Sequence, residues 1–386
     1  MVKSPTHAIK DQVRFFGYGS YRKLAGILRK FSPKKIFLVH GKGSFSASGA
    51  QQLLQPILER FDIIEYLISG SNPKVEDVER GISLFQASSA GLIIGVGGGS
   101  AMDTAKAIAL LSNQKNYHGI LVGREEPKAR EIPTIMIPTT AGTGSESNRF
   151  IVYYVDGIKH SLSHPSSVPD AAIVDPSFTL ALPPKITATT GIDALAQALE
   201  SFWSVSSSEA SRALCKKAIP IILKNLPKSV WEPDRNSRAE MLRASNLAGQ
   251  AINSTRTTAP HAVSYPMTSH YGVPHGQAVG LTIPSFLLFN YYVDNSSLQD
   301  PRGVGFVKKI IFDIIKMVHA TTPERACAAL TEFISSLGLE TSLSSLGIGN
   351  EGIKLILEEG FTPDRMNNNP RRVTHEDLRE ILEKIA

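Results

Sequence analysis

The chain has 386 residues, 42% hydrophobic and 20% charged, with a net charge of +6 at neutral pH, which allows about two or three domains with ordinary cores. No Lys/Arg block with interleaved aromatics occurs, so nothing beyond bulk charge points to nucleic acid, and no such partner is expected. Cys215 and Cys327 are too few for a disulfide framework or a thiolate metal site, Met1 to Lys10 has no apolar leader core, and no apolar run reaches about eighteen residues, so a reduced, cytoplasmic protein without a membrane span is expected.

Lys35-Ile36-Phe37-Leu38-Val39 is an apolar, β-branched-rich run that breaks at His40-Gly41-Lys42-Gly43-Ser44, the pattern of a buried strand entering a turn. A helix follows through Leu54 and Leu58. Gly91 to Val96 is a second strand, and Gly97-Gly98-Gly99-Ser100 leads from it directly into a helical stretch, Ala101 to Leu111. Glycines let backbone N–H groups close on an anion and the helix N-terminus adds partial positive charge, so this turn reads as a phosphate cradle, although a tight structural turn would use the same glycines. The spacing Ser100-x-x-Asp103 predicts a capping box at the start of the helix.

A third apolar run, Pro133 to Pro138, ends in Thr139-Thr140-Ala141-Gly142-Thr143-Gly144-Ser145-Glu146. This loop offers many donors and little bulk, which suits either a second polar ligand group or a flexible turn. Arg149 to Val155 and Ala171 to Val174 suggest further strands before Asp175-Pro176. After Leu182-Pro183-Pro184 the apolar spacing becomes helical, so the expected organisation is an α/β nucleotide-binding half, residues 1–180, followed by an α-helical half, residues 181–386. No internal repeat is present, and the runs Ser206-Ser207-Ser208 and Asn367-Asn368-Asn369 are the only compositional bias.

Asp193 and Gln197, in the stretch Gly191 to Glu200, rise from one face of a helix, where such a pair marks either a solvated face or two oxygen ligands for a metal. His261 and His275 lie fourteen residues apart, and the prolines at 266 and 274 imply a helix end, a short connection and a new helix near His275, so the two imidazoles can converge. His270, between them, is either a hydrogen-bonded structural residue or one that faces a substrate.

Taken together, Gly-Gly-Gly-Ser at 97–100, Pro-Thr-Thr-Ala-Gly-Thr-Gly-Ser-Glu at 138–146, Gly-Ile-Asp-Ala-Leu at 191–195 and the two-histidine segment 261–275 resemble the iron-containing, group III alcohol dehydrogenase family over nearly the whole chain. The resemblance implies a dehydroquinate synthase-like fold: a Rossmann-like N-terminal dinucleotide-binding domain, an all-α C-terminal metal-binding domain, and a catalytic divalent metal, Fe2+ or Zn2+, in the cleft between them. It implies Asp193, His261 and His275 as metal ligands, with Gln197 where most members carry a histidine. A neutral amide oxygen in place of an imidazole makes a harder and weaker site. Tyr265 stands where several members have a further histidine assigned to proton transfer; a phenol with an ordinary pKa of about 10 is a poorer base at neutral pH. Tyr265 and His270 are the catalytic candidates.

The same resemblance implies NADPH or NADH as cofactor, with the pyrophosphate on Gly97, Gly98, Gly99, Ser100 and Asp103, and with Thr139, Thr140, Thr143 and Ser145 lining the nicotinamide and its linkage. Members that prefer NAD often carry an acid after the first strand, whereas Val39-His40-Gly41-Lys42 has none; Gly41 and Lys42 therefore predict that NADPH is accepted, alone or beside NADH. These departures, with Ser201 to Val205 and the segment 261–276, are most similar to the phosphonoacetaldehyde reductase branch, which reduces phosphonoacetaldehyde to 2-hydroxyethylphosphonate in phosphonate biosynthesis. A phosphonate requires a cationic anchor, for which Arg149, Lys159 and Arg256 stand nearest the motifs. The expected partner is thus a small aldehyde or alcohol. An iron-type alcohol dehydrogenase acting on an uncharged substrate and a non-catalytic nucleotide-binding module are the alternatives. A homodimer is compatible with this reading, but no motif specifies one.

Overall fold

In a computed structural model of the protein, which describes residues 12–386, each apolar run read above as a strand is one; the stretch Met1 to Lys10, for which no leader is expected, lies outside the described residues. The strands are β1 (Val13–Phe16), β2 (Lys35–Gly41), β3 (Asp62–Ile68), β4 (Leu92–Gly97), β5 (Thr134–Pro138), β6 (Phe150–Val155), β7 (Ile158–Ser163) and β8 (Ala171–Val174). Six of them form a parallel sheet in the order β1-β8-β5-β4-β2-β3. Such a sheet is covered on both faces, which is why its central strands are continuous apolar runs with no polar alternation. Successive residues serve opposite faces: Phe37, Val39, Ile93 and Met136 pack into one apolar cluster, and Ile36, Leu38, Ile94 and Ile135 into another. β6 and β7 form a separate antiparallel hairpin, turned by Asp156 and Gly157 at φ 50° and 81°, the left-handed pair that suits a two-residue connection.

β2 is flanked by β3 on one side and β4 on the other, so the chain reverses its direction of travel across the sheet between them. Loops at the carboxyl ends of strands on either side of such a reversal splay apart and leave a crevice for a ligand. His40 of β2 pairs with Val96 of β4, and Gly97 of β4 with Pro138 of β5. The three loops beginning at Lys42, Gly98 and Thr139 therefore leave the sheet side by side.

The chain divides into two compact units: one runs to Thr140 and resumes over Gly144–Leu182, and the other comprises Pro183–Ala386 together with Ala141–Thr143. The second unit is helical. Its first five helices are Pro184–Trp203, Glu209–Trp231, Arg235–Thr255, Ala259–Tyr271 and His275–Tyr291. Ser208 and Asp234 start the second and third with reciprocal capping boxes, and Gly272 in a left-handed conformation ends the fourth. Gly276 lets the fifth helix meet the first at backbone distance: a Cβ there would stand 1.8 Å from the carbonyl oxygen of Thr189. Among the described residues no helix is long and apolar enough to cross a membrane.

The Asn367–Asn369 run, which composition alone marks as bias, is a set of clamps. Asn368 Nδ2 donates to the carbonyls of Thr255 and Thr257 at 2.7 and 3.0 Å, and its Oδ1 accepts from Ser206 N at 3.2 Å. Asn369 Nδ2 donates to Asn290 Oδ1 at 2.8 Å, while Gln299 Nε2 donates to the carbonyls of Met366 and Asn369 at 3.0 and 2.8 Å. Buried amides matched in this way fix a segment without regular structure of its own.

Candidate functional site

Asp193 and Gln197 lie one turn apart on Pro184–Trp203, both buried, and Gln197 Nε2 donates to Asp193 Oδ2 at 3.2 Å. His261 sits in the first turn of Ala259–Tyr271, and His275 opens the next helix after the Gly272–Pro274 connection. Their imidazoles meet edge to face with centroids 5.2 Å apart. Asp193 Oδ1 is 3.4 Å from His261 Nε2 and 4.0 Å from His275 Nε2, and one ligand atom from each of the three residues lies within 4.8 Å of the others. Donors gathered about 2.1 Å from one divalent cation lie roughly 3–4 Å from each other, so the spacing fits. The chemistry fits as well: Gln197 Oε1 is buried beside this cluster and has no hydrogen-bond partner among the described residues. A buried acceptor left unmatched costs stability unless something else approaches it, and a cation does so.

Glu200, fully buried on the same helix, sets the histidine's tautomer. Its Oε2 takes a short hydrogen bond from His261 Nδ1, and its Oε1 accepts from Thr258 N at 2.9 Å, Thr258 Oγ1 at 3.0 Å and His261 N at 3.3 Å. Trp203 Nε1 donates to Thr258 Oγ1 at 2.9 Å and holds that hydroxyl in turn. With its proton on Nδ1, His261 turns a lone pair on Nε2 toward Asp193. Ser264 does the same for His275: its Oγ donates to His261 O at 2.7 Å, which leaves it to accept from His275 Nδ1 at 3.3 Å. Sequence reasoning passed over Glu200, although Asp193, Gln197 and Glu200 at i, i+4 and i+7 trace one face of a helix. Burial alone would lower the His261 pKa, but the carboxylates of Glu200 and Asp193 outweigh it and raise it above the ordinary histidine value.

Tyr265 extends the site by one helical turn, its ring centroid 6.2 Å from that of His275. Burial raises its pKa, with Glu200 and Asp193 adding to the effect and the Arg365 guanidinium opposing it. His270 is not brought to the cluster. It stands nine residues beyond His261, about half a revolution round the helix, and its exposed ring pairs with Glu359 at 2.7 Å. Of the three cations proposed from the sequence, Arg256 ends its helix at φ 56° and pairs with Asp364 at 2.9 Å, Arg149 lies over the Phe150 ring at 5.7 Å, and Lys159 stands on β7 opposite Tyr154.

In the first unit, Gly97 adopts φ 151°, and a Cβ there would come within 2.8 Å of Ala101 Cβ, so the turn requires glycine. Gly98 is the N-cap of Gly99–Leu111 with no side-chain cap, which corrects the expected capping box. Ser100 lies inside the first turn and its Oγ accepts from Asn72 N at 3.3 Å. Asp103 is claimed by stronger partners: it pairs with Lys106 at 3.1 Å and accepts from Val152 N at 3.0 Å and from Ser145 Oγ. Burial lowers the Lys106 pKa against the opposing effect of Asp103, and its Nζ also donates to Ser145 O and Asn148 O at 3.1 and 3.4 Å. Asp103 and Ser145, both read as cofactor contacts, thus share a buried knot that fixes the helix to the segment 145–152. Thr139 N donates to Gly97 O at 2.9 Å and holds the threonine loop against the glycine turn.

The family model for iron-containing alcohol dehydrogenase matches residues 12–176, and that for the C-terminal region of the Fe-containing alcohol dehydrogenase family matches residues 187–386. The chain is 32% identical over 312 residues to phosphonoacetaldehyde reductase of Streptomyces viridochromogenes, covering 77% of this chain and 76% of that one. It is 29% identical over 379 residues to alcohol dehydrogenase 4 of Saccharomyces cerevisiae, 96% of each chain. The solved structure of sulfoacetaldehyde reductase from Bifidobacterium kashiwanohense in complex with NAD+ is similar with a TM-score of 0.84 and 29% identity, covering 97% of both chains.

Proposed function

Because the chain belongs to the iron-containing alcohol dehydrogenase family, and is thus an NAD(P)-dependent, metal-containing alcohol dehydrogenase or aldehyde reductase, we propose that its substrate is phosphonoacetaldehyde, reduced to 2-hydroxyethylphosphonate. The likeness to phosphonoacetaldehyde reductase carries this narrower reading. A second relative is named for the sulfonate analogue, another two-carbon aldehyde ending in a tetrahedral oxyanion, and supports the same substrate class.

In this reading Asp193, His261, His275 and Gln197 hold the divalent metal, which when bound supplies Lewis-acid polarisation of the carbonyl, while the nicotinamide supplies the hydride. Glu200 and Ser264 keep the Nδ1 protons of the two histidines in place, so that neither ring turns a proton toward the metal position. Tyr265, its pKa raised by burial above that of an ordinary phenol, carries a proton at neutral pH and therefore serves the product oxygen as a donor. Gly97–Ser100, at the crevice where the sheet reverses, would hold the cofactor pyrophosphate, with Thr139 and Thr140 beside it, while Ser145 serves the buried knot with Asp103 and Lys106. Gly41 and Lys42 leave β2 without an acid to repel a 2′-phosphate, so NADPH is accepted.

An anaerobic assay of NADPH and NADH oxidation with phosphonoacetaldehyde and with butanal tests this, repeated with Fe2+, Zn2+ and chelator. Equal kcat/KM on the two aldehydes would leave only the general alcohol dehydrogenase. Activity indifferent to chelation and to added metal would remove the metal assignment.

A further inference from the structure

A phosphonate substrate needs a cation near the reacting carbon, and we infer that Arg365 is that anchor, an inference that rests on the phosphonate reading above. Several arginines elsewhere among the described residues are held by carboxylates: Arg130 by Asp170 at 2.7 Å, Arg302 by Asp300 at 2.6 Å, Arg371 by Asp377 at 3.9 Å and Arg256 by Asp364 at 2.9 Å. Arg365 has none within 4 Å among the described residues. Its one side-chain hydrogen bond runs from Nε to Thr257 Oγ1 at 3.2 Å, so both terminal nitrogens keep their donors for something else.

The guanidinium is also in the right place. Its central carbon lies 5.1 Å from the Tyr265 ring centroid, and that ring lies 6.2 Å from the His275 ring, so Arg365 and His275 both neighbour Tyr265. In an extended two-carbon aldehyde the phosphonate oxygens lie up to about 5 Å from the carbonyl oxygen, so their anchor belongs next to the residues that flank the carbonyl. Stacking on Tyr265 and the bond to Thr257 fix the plane of the guanidinium, leaving a fork suited to two oxygens of one tetrahedral anion.

The backbone beneath it is equally constrained. Arg365 belongs to the short helix Pro363–Met366, whose exit is pinned by the Asn368, Asn369 and Gln299 bonds described above. An anchor ordered before the substrate arrives loses little entropy on binding it. Arg256, the sequence candidate nearest in the chain, already has Asp364.

The test is the ratio of kcat/KM for phosphonoacetaldehyde to that for butanal in metal-loaded wild type, Arg365→Gln and Arg365→Lys. Loss of a charge-assisted pair of hydrogen bonds should lower the ratio about thirtyfold or more in Arg365→Gln. Arg365→Lys, a point charge in place of a fork, should lose about tenfold. If wild type prefers phosphonoacetaldehyde and Arg365→Gln keeps that preference within threefold, the assignment to Arg365 is wrong. If wild type itself shows no preference, the phosphonate reading fails and the inference goes with it. Should Arg365→Gln not fold by circular dichroism, Arg365→Lys decides by the same threefold limit.

Discussion

Replacing Glu200 with Gln removes one acceptor oxygen from a carboxylate that receives four hydrogen bonds, three at Oε1 and one at Oε2. An amide accepts at one end only, so either orientation fails somewhere. With Nε2 toward His261, two N–H groups face each other, the imidazole proton moves to its other nitrogen, and that nitrogen no longer presents a lone pair to Asp193. Losing the partner that orients a ligating histidine weakens metal affinity about 10- to 100-fold. With Nε2 toward Thr258, the backbone N–H groups of Thr258 and His261 lose their acceptor in a fully buried place, costing about 1–3 kcal/mol for each unmatched group. Zn2+ affinity, measured by competition with a chromogenic chelator, and the urea midpoint in the presence of excess chelator should together register one cost or the other. Affinity within threefold of wild type combined with an unmoved midpoint would show that Glu200 orients nothing.

Gln197→His should retain metal and tighten Zn2+ binding, since an imidazole replaces an amide oxygen; loss of metal in equilibrium dialysis would show that position 197 has another task. Gly276→Ala places a methyl group 1.8 Å from the Thr189 carbonyl oxygen, and urea unfolding should show a loss of about 3 kcal/mol because neither backbone can yield easily. The hydrogen bond from Lys228, with that from Ser237 N, lowers the Asp234 pKa to about 2 from an ordinary 3.8. Its contribution is therefore present above the unfolded value and lost as pH falls from about 4 through about 2. The stability difference between wild type and Asp234→Asn, measured in urea, should accordingly shrink between pH 6 and pH 3, and a difference that grows would contradict the pairing with Lys228.

The central strands could be read from the residues because β2, β4 and β5 are buried on both faces and so are uninterrupted apolar runs. β1, β3 and β7 could not, because edges and hairpins alternate with solvent: Asp62 and Glu65 interrupt β3, and Lys159 and His160 interrupt β7. Asp193, His261 and His275 stand in short motifs that survive as local patterns, and the structure brings these three together. Arg365 has no such pattern, because it is placed by amides whose partners lie about a hundred residues earlier in the chain. The expected capping box failed for a local reason: glycines at 98 and 99 allow the helix to begin before Ser100, and the neighbouring Lys106 leaves Asp103 nothing to cap.

The backbone-to-backbone seat of Gly276 on Thr189 bears on how this protein selects an ion. His275 begins a helix whose second residue rests on the main chain of the helix carrying Asp193, so the gap between those two donors is not open to gradual widening by repacking side chains. A cage of fixed size cannot be retuned for ion radius in small steps. On this scaffold, a change in metal preference requires exchanging a donor atom outright, and the residue at 197, an amide here, is a position where one codon makes that exchange without moving a helix.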